Sequence, residues 1–465
     1  METPITVVIL AAGLGTRMKS KQAKVLHQAG GMPLIEHIVG TALALAPPER
    51  IFLVVGHQAG EVQAAVAHHG VQFIVQAEQR GTGHALLVCR ERLSGLPGHL
   101  LVLYGDCPLL TPGALRQLVE AQEQGEAAAT VITTVLEDPT GYGRILRNES
   151  GRLQAIVEQK DATPEQLAER EINSGIYCFR AGLLWEQIGE IQPHNVAREY
   201  YLTDMVDIFH RAGHFMQPLV LADSSEVLGI NTRAELALVD RILRERKARQ
   251  LMLDGVTIEK PETVTIDAGV TVGMDSVIGP FAQLLGHTAI GEDCRVGACS
   301  IVRDSRLAAG VQVAPFTMVD SSELETGVRV GPYARLRMSA HLEAGAVVGN
   351  FVEVKKSRIG AKAKSQHLAY LGDANIGKGV NVGAGAITCN YDGERKHPTI
   401  IGDGAFIGSN STLVAPVEIG AGSYVAAGSV ITENVPPDSL ALGRARQVVK
   451  EEWAKKRKAA AETRT

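Results

Sequence analysis

At 465 residues the chain exceeds what one ordinary hydrophobic core supports, so two or more domains are expected. Its 45% hydrophobic and 21% charged residues are usual for a soluble globular protein, and a net charge of −5 excludes an electrostatic case for nucleic acid as a general partner. Six cysteines without a C-x-x-C pair point to free thiols in a reducing cytoplasm, and the lack of an 18-residue apolar run, with Met1 leading straight into a strand, argues against a membrane span or signal peptide.

The first 230 residues alternate apolar runs with helical patterns. Ile5–Leu10, Ile51–Val55, Val71–Val75 and Leu100–Tyr104 read as buried strands, with helices over Pro33–Ala46 and Pro112–Gln124. That order predicts an α/β domain with a mostly parallel, Rossmann-like sheet, whose ligands bind beyond the carboxyl ends of the strands. After the first strand comes Leu10-Ala-Ala-Gly-Leu-Gly-Thr-Arg-Met18. Gly13 and Gly15 let backbone amides approach an anion, and Arg17 adds a fixed positive charge. A dinucleotide fingerprint would want glycine where Met18 stands, and no Walker lysine motif is present. Arg17 with Lys24 instead reads as a loop that clamps a triphosphate. The fourth strand ends at Tyr104-Gly-Asp106, a carboxylate placed where a magnesium ligand is needed, with an aspartate opening a turn before Pro108 as the lesser alternative.

From Thr232 to Leu253 the pattern is helical, with Thr232 and Glu235 forming a capping box and Leu236, Val239 and Leu243 sharing one face. A helix of that length spans on the order of 30 Å, enough to separate two active sites. From about Val264 to Pro436 a six-residue period takes over: Ile278-Gly, Ile290-Gly, Val296-Gly, Val330-Gly, Val348-Gly, Ile376-Gly, Val382-Gly, Ile401-Gly, Ile407-Gly and Ile419-Gly. One aliphatic residue per hexad pointing inward, with small residues at the corners, predicts a parallel β-helix. The hexads break at Lys364–Asp373 and again at Thr388–Pro398, and insertions in a solenoid commonly form its binding face. His367 falls in the first break, with Arg337 and Lys355 on earlier coils bringing charge suited to a sugar phosphate. The predicted domains are therefore 1–230, a linker helix 231–253, a β-helix 254–437 and a tail 438–465 carrying the basic run Lys455–Lys458.

Leu10–Met18, Lys24-Val-Leu-His27, Gln76–Gly83, Tyr104–Asp106, Asp138–Arg144, Ile156–Asp161, Glu171–Asn173 and Gly229–Asn231 are similar to the sugar-phosphate nucleotidyltransferases. With the hexads added, nearly the whole chain resembles the bacterial bifunctional N-acetylglucosamine-1-phosphate uridylyltransferase/glucosamine-1-phosphate N-acetyltransferases. The resemblance implies a left-handed coil, a homotrimer with acetyl-transfer sites between subunits, and UTP, acetyl-CoA and Mg²⁺ as substrates and cofactor. It implies cytoplasmic synthesis of UDP-N-acetylglucosamine for peptidoglycan and lipopolysaccharide. It assigns the UDP-sugar to Leu10, Ala11, Ala12, Gly13, Lys24, Gln76, Gly81, Thr82, Tyr104, Gly105, Asp106, Gly143, Glu158, Asn173 and Asn231. Asp106 and Asn231 would hold the metal, while Arg17 and Lys24 neutralise phosphates. In the coil it makes His367 the general base, gives Arg337, Lys355, Tyr370 and Asn381 to glucosamine 1-phosphate, and gives Ala384, Asn390, Tyr391, Ser409, Ala427 and Arg444 to acetyl-CoA. Two departures stand out: Ala23 where the family often has proline before the lysine, and Met338-Ser339 where it usually has Pro-Gly. The alternative is a nucleotidyltransferase whose β-helix only assembles it.

Overall fold

The computed structural model describes residues 3–462 and falls into two compact units divided between Arg246 and Lys247. The first is built on a nine-stranded sheet: β1 Ile5–Leu10, β2 Ile51–Val55, β3 Gln72–Val75, β4 His99–Tyr104, β5 Ala129–Val135, β6 Gly143–Arg147, β7 Leu153–Val157, β8 Glu171–Arg180 and β9 Met216–Val220. The strands lie in the order β9-β5-β8-β4-β1-β2-β3, with β6 pairing β8 and β7. β4, β1, β2 and β3 are mutually parallel, and β8 runs antiparallel to both β4 and β5. The chain leaves β1 to one side through β2 and β3, then returns to β4 on the other. The switch point where such sheets bind ligands therefore lies between Leu10 and Tyr104, which are paired at the strand ends.

Apolar runs make these strands because both faces are covered. Val7, Ile9, Leu53 and Leu101 pack with Ile35, Ile38 and Val39 of α1 (Leu34–Leu43), which share one face at helical spacing. Val8, Val54, Leu100 and Val102 pack on the opposite side with Leu86, Phe179 and Phe209. In β8 the register shifts between Asn173 and Tyr177 around Gly175, and this bulge turns Ser174 toward the cavity described below.

The helix α2 (Arg233–Leu253) passes through the division. Both halves of its expected capping box are present: Thr232 Oγ1 accepts from the Glu235 N–H at 3.2 Å, and Glu235 Oε2 accepts from the Thr232 N–H at 2.7 Å. Val239 packs with Met18, Leu34 and Ile230, whereas Ala248 and Leu251 belong to the core of the second unit.

The second unit is a parallel β-helix whose strands stack into three sheets of 11, 10 and 9. One interior ladder runs through the register partners Ile278, Val296, Val313, Val330, Val348, Ser365, Val382, Ile407 and Val425, all buried. Each aliphatic member contributes about 1.5–3 kcal/mol by its burial. The glycine after the aliphatic residue has a steric cause, since a Cβ on Gly297 would lie 2.6 Å from the Pro315 nitrogen in the next coil.

One expected break is not a break. Lys364–His367 and Tyr370–Gly372 are strands in register with the coils before them, pairing as Asn350 with His367 and Glu353 with Tyr370. The hexad rhythm is only masked there, because Ser365 occupies the buried ladder place between Val348 and Val382 where an aliphatic residue usually stands. The second break is a true insertion: Asn381 pairs with Phe406, and residues 391–396 form an exposed excursion joined by a Tyr391–Lys396 bridge. One corner carries an exposed ladder of non-glycine residues at positive φ: Phe281, Phe316, Tyr333, Phe351 and Leu368. The rings of Phe316, Tyr333 and Phe351 stack with centroids 5.1 and 5.4 Å apart.

Candidate active sites

A cavity of about 520 Å³ opens at the switch point of the first unit. The turn after β1 forms one wall, with Gly15 at φ 61° and the short helix Thr16–Met18 behind it. Gly81 forms another. Its φ of 109° and its approach to the chain opposite, where a Cβ would lie 2.5 Å from the Tyr200 carbonyl oxygen, admit only glycine. Gln76 is buried and its Nε2 donates to the Gly81 carbonyl at 3.3 Å, tying the end of β3 to that loop.

The floor of the cavity is polar and charged. Lys24 forms an ion pair with Asp106, and its ammonium also donates to Asn231 Oδ1 at 3.2 Å. Arg17 Nη2 donates to the same Asn231 oxygen at 2.9 Å. A carboxylate and an amide oxygen from distant parts of the chain thus converge on one cation, a donor set suited to a hard metal. The capping carboxylate of α2 fixes this arrangement, because Glu235 Oε2 also accepts from the Asn231 N–H at 2.6 Å. Ala23, beside Lys24, sits at φ −56°, the angle a proline ring would impose.

In and behind the cavity wall stand groups whose charge is disfavoured. Burial raises the Glu158 pKa, helped by Asp161, Asp204 and Glu199. Burial likewise keeps the Tyr104 phenol protonated. Asn173 Oδ1 accepts from the Gly175 N–H at 2.9 Å and from the Tyr177 hydroxyl at 3.1 Å.

In the coil, Arg337, Lys355 and Gly372 are register partners on one face. Lys355 is buried, with its ammonium 3.8 Å from Asp373. Arg337 is held by Glu353 at 2.6 Å. The turn after Arg337 places Met338 and Ser339 at φ 55° and 63°, so this chain makes with ordinary residues a bend that glycine makes more easily. Around the corner at Leu368, His367 Nδ1 lies 2.8 Å from Asn350 Oδ1. Asn390 Nδ2 donates to Asp373 at 2.5 Å. Lys396 comes back from the insertion against Lys355, whose hydrogen bond and charge lower the Lys396 pKa. Lys355, Lys396 and Arg337 thus gather near one another, with Asp373 and Glu353 beside them.

Farther along, Ala384, Ser409, Ala427 and Arg444 fall on successive coils. The Ala384 carbonyl accepts from Asn410 N–H at 2.7 Å, and the Ser409 carbonyl accepts from Gly428 N–H at 2.8 Å. A Cβ on Gly428 would lie 3.9 Å from the Arg444 side chain. These residues form one line along the coil.

Residues 7–174 match the MobA-like NTP transferase domain, and residues 269–304 and 398–433 match the bacterial transferase hexapeptide (six repeats). The chain is 62% identical over 463 residues to the bifunctional protein GlmU of Solibacter usitatus, covering 100% of this chain and 99% of the relative. It is 50% identical over 456 residues to the bifunctional protein GlmU of Koribacter versatilis, covering 97% of each. The chain belongs to the GlmU family.

It is therefore a bifunctional transferase, a nucleotidyltransferase domain followed by a left-handed β-helix of hexapeptide repeats. Of the residues expected at the UDP-sugar, Leu10 to Gly13, Lys24, Gln76, Gly81, Thr82, Tyr104, Asp106 and Asn231 line the one cavity. Arg17, Gly105, Gly143, Glu158 and Asn173 do not line it. Arg17 reaches it through Asn231, Gly105 supports it by donating to the Leu10 carbonyl at 3.0 Å, and a Cβ on Gly143 would lie 3.5 Å from Glu158. Sequence reasoning missed Asn350, Glu353, Asp373 and Lys396. Lys396 and Asp373 left a signal, by lying inside the expected breaks at Thr388–Pro398 and Lys364–Asp373. Among the described residues no helix is long and apolar enough to cross a membrane.

Proposed function

We propose that this chain makes UDP-N-acetylglucosamine in two steps: acetyl-CoA-dependent N-acetylation of glucosamine 1-phosphate in the coil, then uridylyl transfer from UTP in the α/β unit. The observation that carries the second step is the convergence of Asp106 and Asn231 oxygens on one cation at the floor of the cavity. Asp106 and Asn231 would hold Mg²⁺, which when bound neutralises charge developing on the phosphoryl oxygens. Gly13 and Gly15 give the phosphates a close approach to backbone N–H groups, and Arg17 and Lys24 supply positive charge. Residues Tyr104, Gly143, Glu158 and Asn173 orient the sugar. An oxygen of the sugar 1-phosphate attacks the α-phosphorus of UTP, and pyrophosphate leaves with the electron pair of the broken bond. Positioning and charge neutralisation carry this step, with no protein nucleophile.

In the coil, Asn350 Oδ1 accepts from His367 Nδ1–H, which leaves Nε2 as the basic nitrogen. Nε2 takes the proton as the glucosamine nitrogen attacks the thioester carbonyl, and coenzyme A departs as its thiol. Arg337, Lys355 and Lys396 hold the sugar phosphate, with Tyr370 and Asn381 on its hydroxyls. The line Ala384, Ser409, Ala427 and Arg444, with Asn390 and Tyr391, holds acetyl-CoA. His367 is exposed in the single chain, and the apolar corner ladder from Phe281 to Leu368 is uncovered, which supports a homotrimer whose acetyl-transfer sites are completed by a neighbouring copy.

A single-pot assay with glucosamine 1-phosphate, acetyl-CoA, UTP and Mg²⁺, following thiol and pyrophosphate separately, tests the whole reading. Both should appear. Pyrophosphate formed only from added N-acetylglucosamine 1-phosphate, without thiol, would leave the coil as scaffold.

A further inference from the structure

Away from both sites, three side chains with metal-binding atoms meet on the surface of the α/β unit. His68 Nε2 and His69 Nε2 each lie 2.9 Å from the same oxygen, Oε1, of Glu36. The three donor atoms all lie within 4.8 Å of one another. None of the three residues lines the nucleotide cavity.

We propose that Glu36, His68 and His69 form a site for a divalent transition metal of the zinc, nickel or copper class, separate from the magnesium site at Asp106. The donor set carries the argument. Two imidazoles and one carboxylate suit borderline metals and not magnesium, which prefers oxygen ligands and retains water. Coordination at about 2.0–2.2 Å from each donor needs each histidine nitrogen, now 2.9 Å from Glu36 Oε1, to part from it by only some tenths of an ångström.

The framework is already fixed. Glu36 lies in the first turn of α1, and His68 and His69 lie in the short turn Ala67–His69, which Gly70 closes at φ 72°. The apolar residues Ile35 and Val39 of α1 share one core with Val62 and Val66, just before that turn. The second oxygen of Glu36 also points to a ligand, since it is buried and has no hydrogen-bond partner. Coordination through both carboxylate oxygens would satisfy it, and would replace the His69 hydrogen bond and the His68 contact that now meet on the other oxygen. His68 has a side chain 61% exposed, so metal and a completing water can enter from solvent. A bound metal would clip α1 to the Ala67–His69 turn and stabilise the unit by mass action.

The test uses the full-length, tag-free protein stripped of metal. Titration with Co²⁺ followed by visible absorption, then competition with Zn²⁺, should show a tetrahedral-type site that persists in Asp106→Ala and in His367→Ala. Zn²⁺ should raise the thermal midpoint of the parent protein by several degrees. His68→Ala, at an exposed position that leaves the core untouched, should lose both signals, and Glu36→Gln should weaken them at least tenfold. Failure of the parent protein to bind Co²⁺, or binding unchanged in His68→Ala and Glu36→Gln, would overturn the proposal.

Discussion

The two units assemble their chemistry by opposite routes. In the α/β unit, Asp106 and Asn231 meet Lys24 although 82 and 207 residues separate them from it, so the site exists only once the whole sheet is formed. In the coil, Arg337, Lys355 and Tyr370 come from successive turns, each adding its side chains at one register step. A sheet gathers distant residues at a switch point, whereas a solenoid spreads a long, modular surface. The consequence is independence. A side chain exchanged at one site has no reason to disturb the other.

The largest expected effect that would break this comparison comes from Asp106→Ala. It should reduce uridylyl transfer by about 10³-fold or more while leaving acetyl transfer within twofold, in separate pyrophosphate and thiol assays. Equal loss of both activities would show the units are coupled. His367→Ala should lower acetyl transfer by roughly 10²–10⁴-fold with uridylyl transfer near normal. Survival of acetylation at the parent rate would mean another group takes the proton.

Lys396→Ala sharpens the picture within the coil. Removing one of the two facing ammonium groups should raise KM for glucosamine 1-phosphate about tenfold with little change in kcat, because the charge binds ground state and transition state alike. An unchanged KM would place the sugar phosphate elsewhere.

The smallest effect concerns stability. Burial, with Asp161 and Asp207 nearby, pushes the Asp204 carboxyl up to about 6 from its ordinary 3.8. A carboxyl raised on folding favours the folded state below pH 3.8, and that advantage is lost as pH rises through about 6. Asp204→Asn should therefore raise the thermal midpoint more at pH 7.5 than at pH 4. Equal shifts at both pH values would show that the carboxylate's charge is not what destabilises it.

Much of this was legible in the residues. The aliphatic hexads read directly as a coil because each interior position needs one apolar side chain, and a strand flanked by helices is apolar because both its faces are covered. What masked the coil was local. Ser365 stands in the buried ladder in place of an aliphatic residue, so a regular turn of the helix looked like an interruption. The loop after Leu10 and the turn at Asp106 were readable because glycines after a strand and a strand-end aspartate carry positional meaning, whereas Gly81 came only through the family resemblance. The roles of Asn350 and Asp373 were not, because an asparagine or aspartate at a corner is common, and only register brings Asn350 beside His367. The pair Lys355 and Lys396 depends on how an insertion folds back, which no periodicity encodes.

The central claim is that one chain carries two separable sites. The most direct measurement mixes the Asp106→Ala and His367→Ala proteins with glucosamine 1-phosphate, acetyl-CoA, UTP and Mg²⁺, and follows UDP-N-acetylglucosamine. Each variant alone should make almost none, and the mixture should make it readily, because one protein supplies the acetylated sugar phosphate that the other uridylylates. A mixture as inactive as its parts, with both proteins folded, would contradict the account.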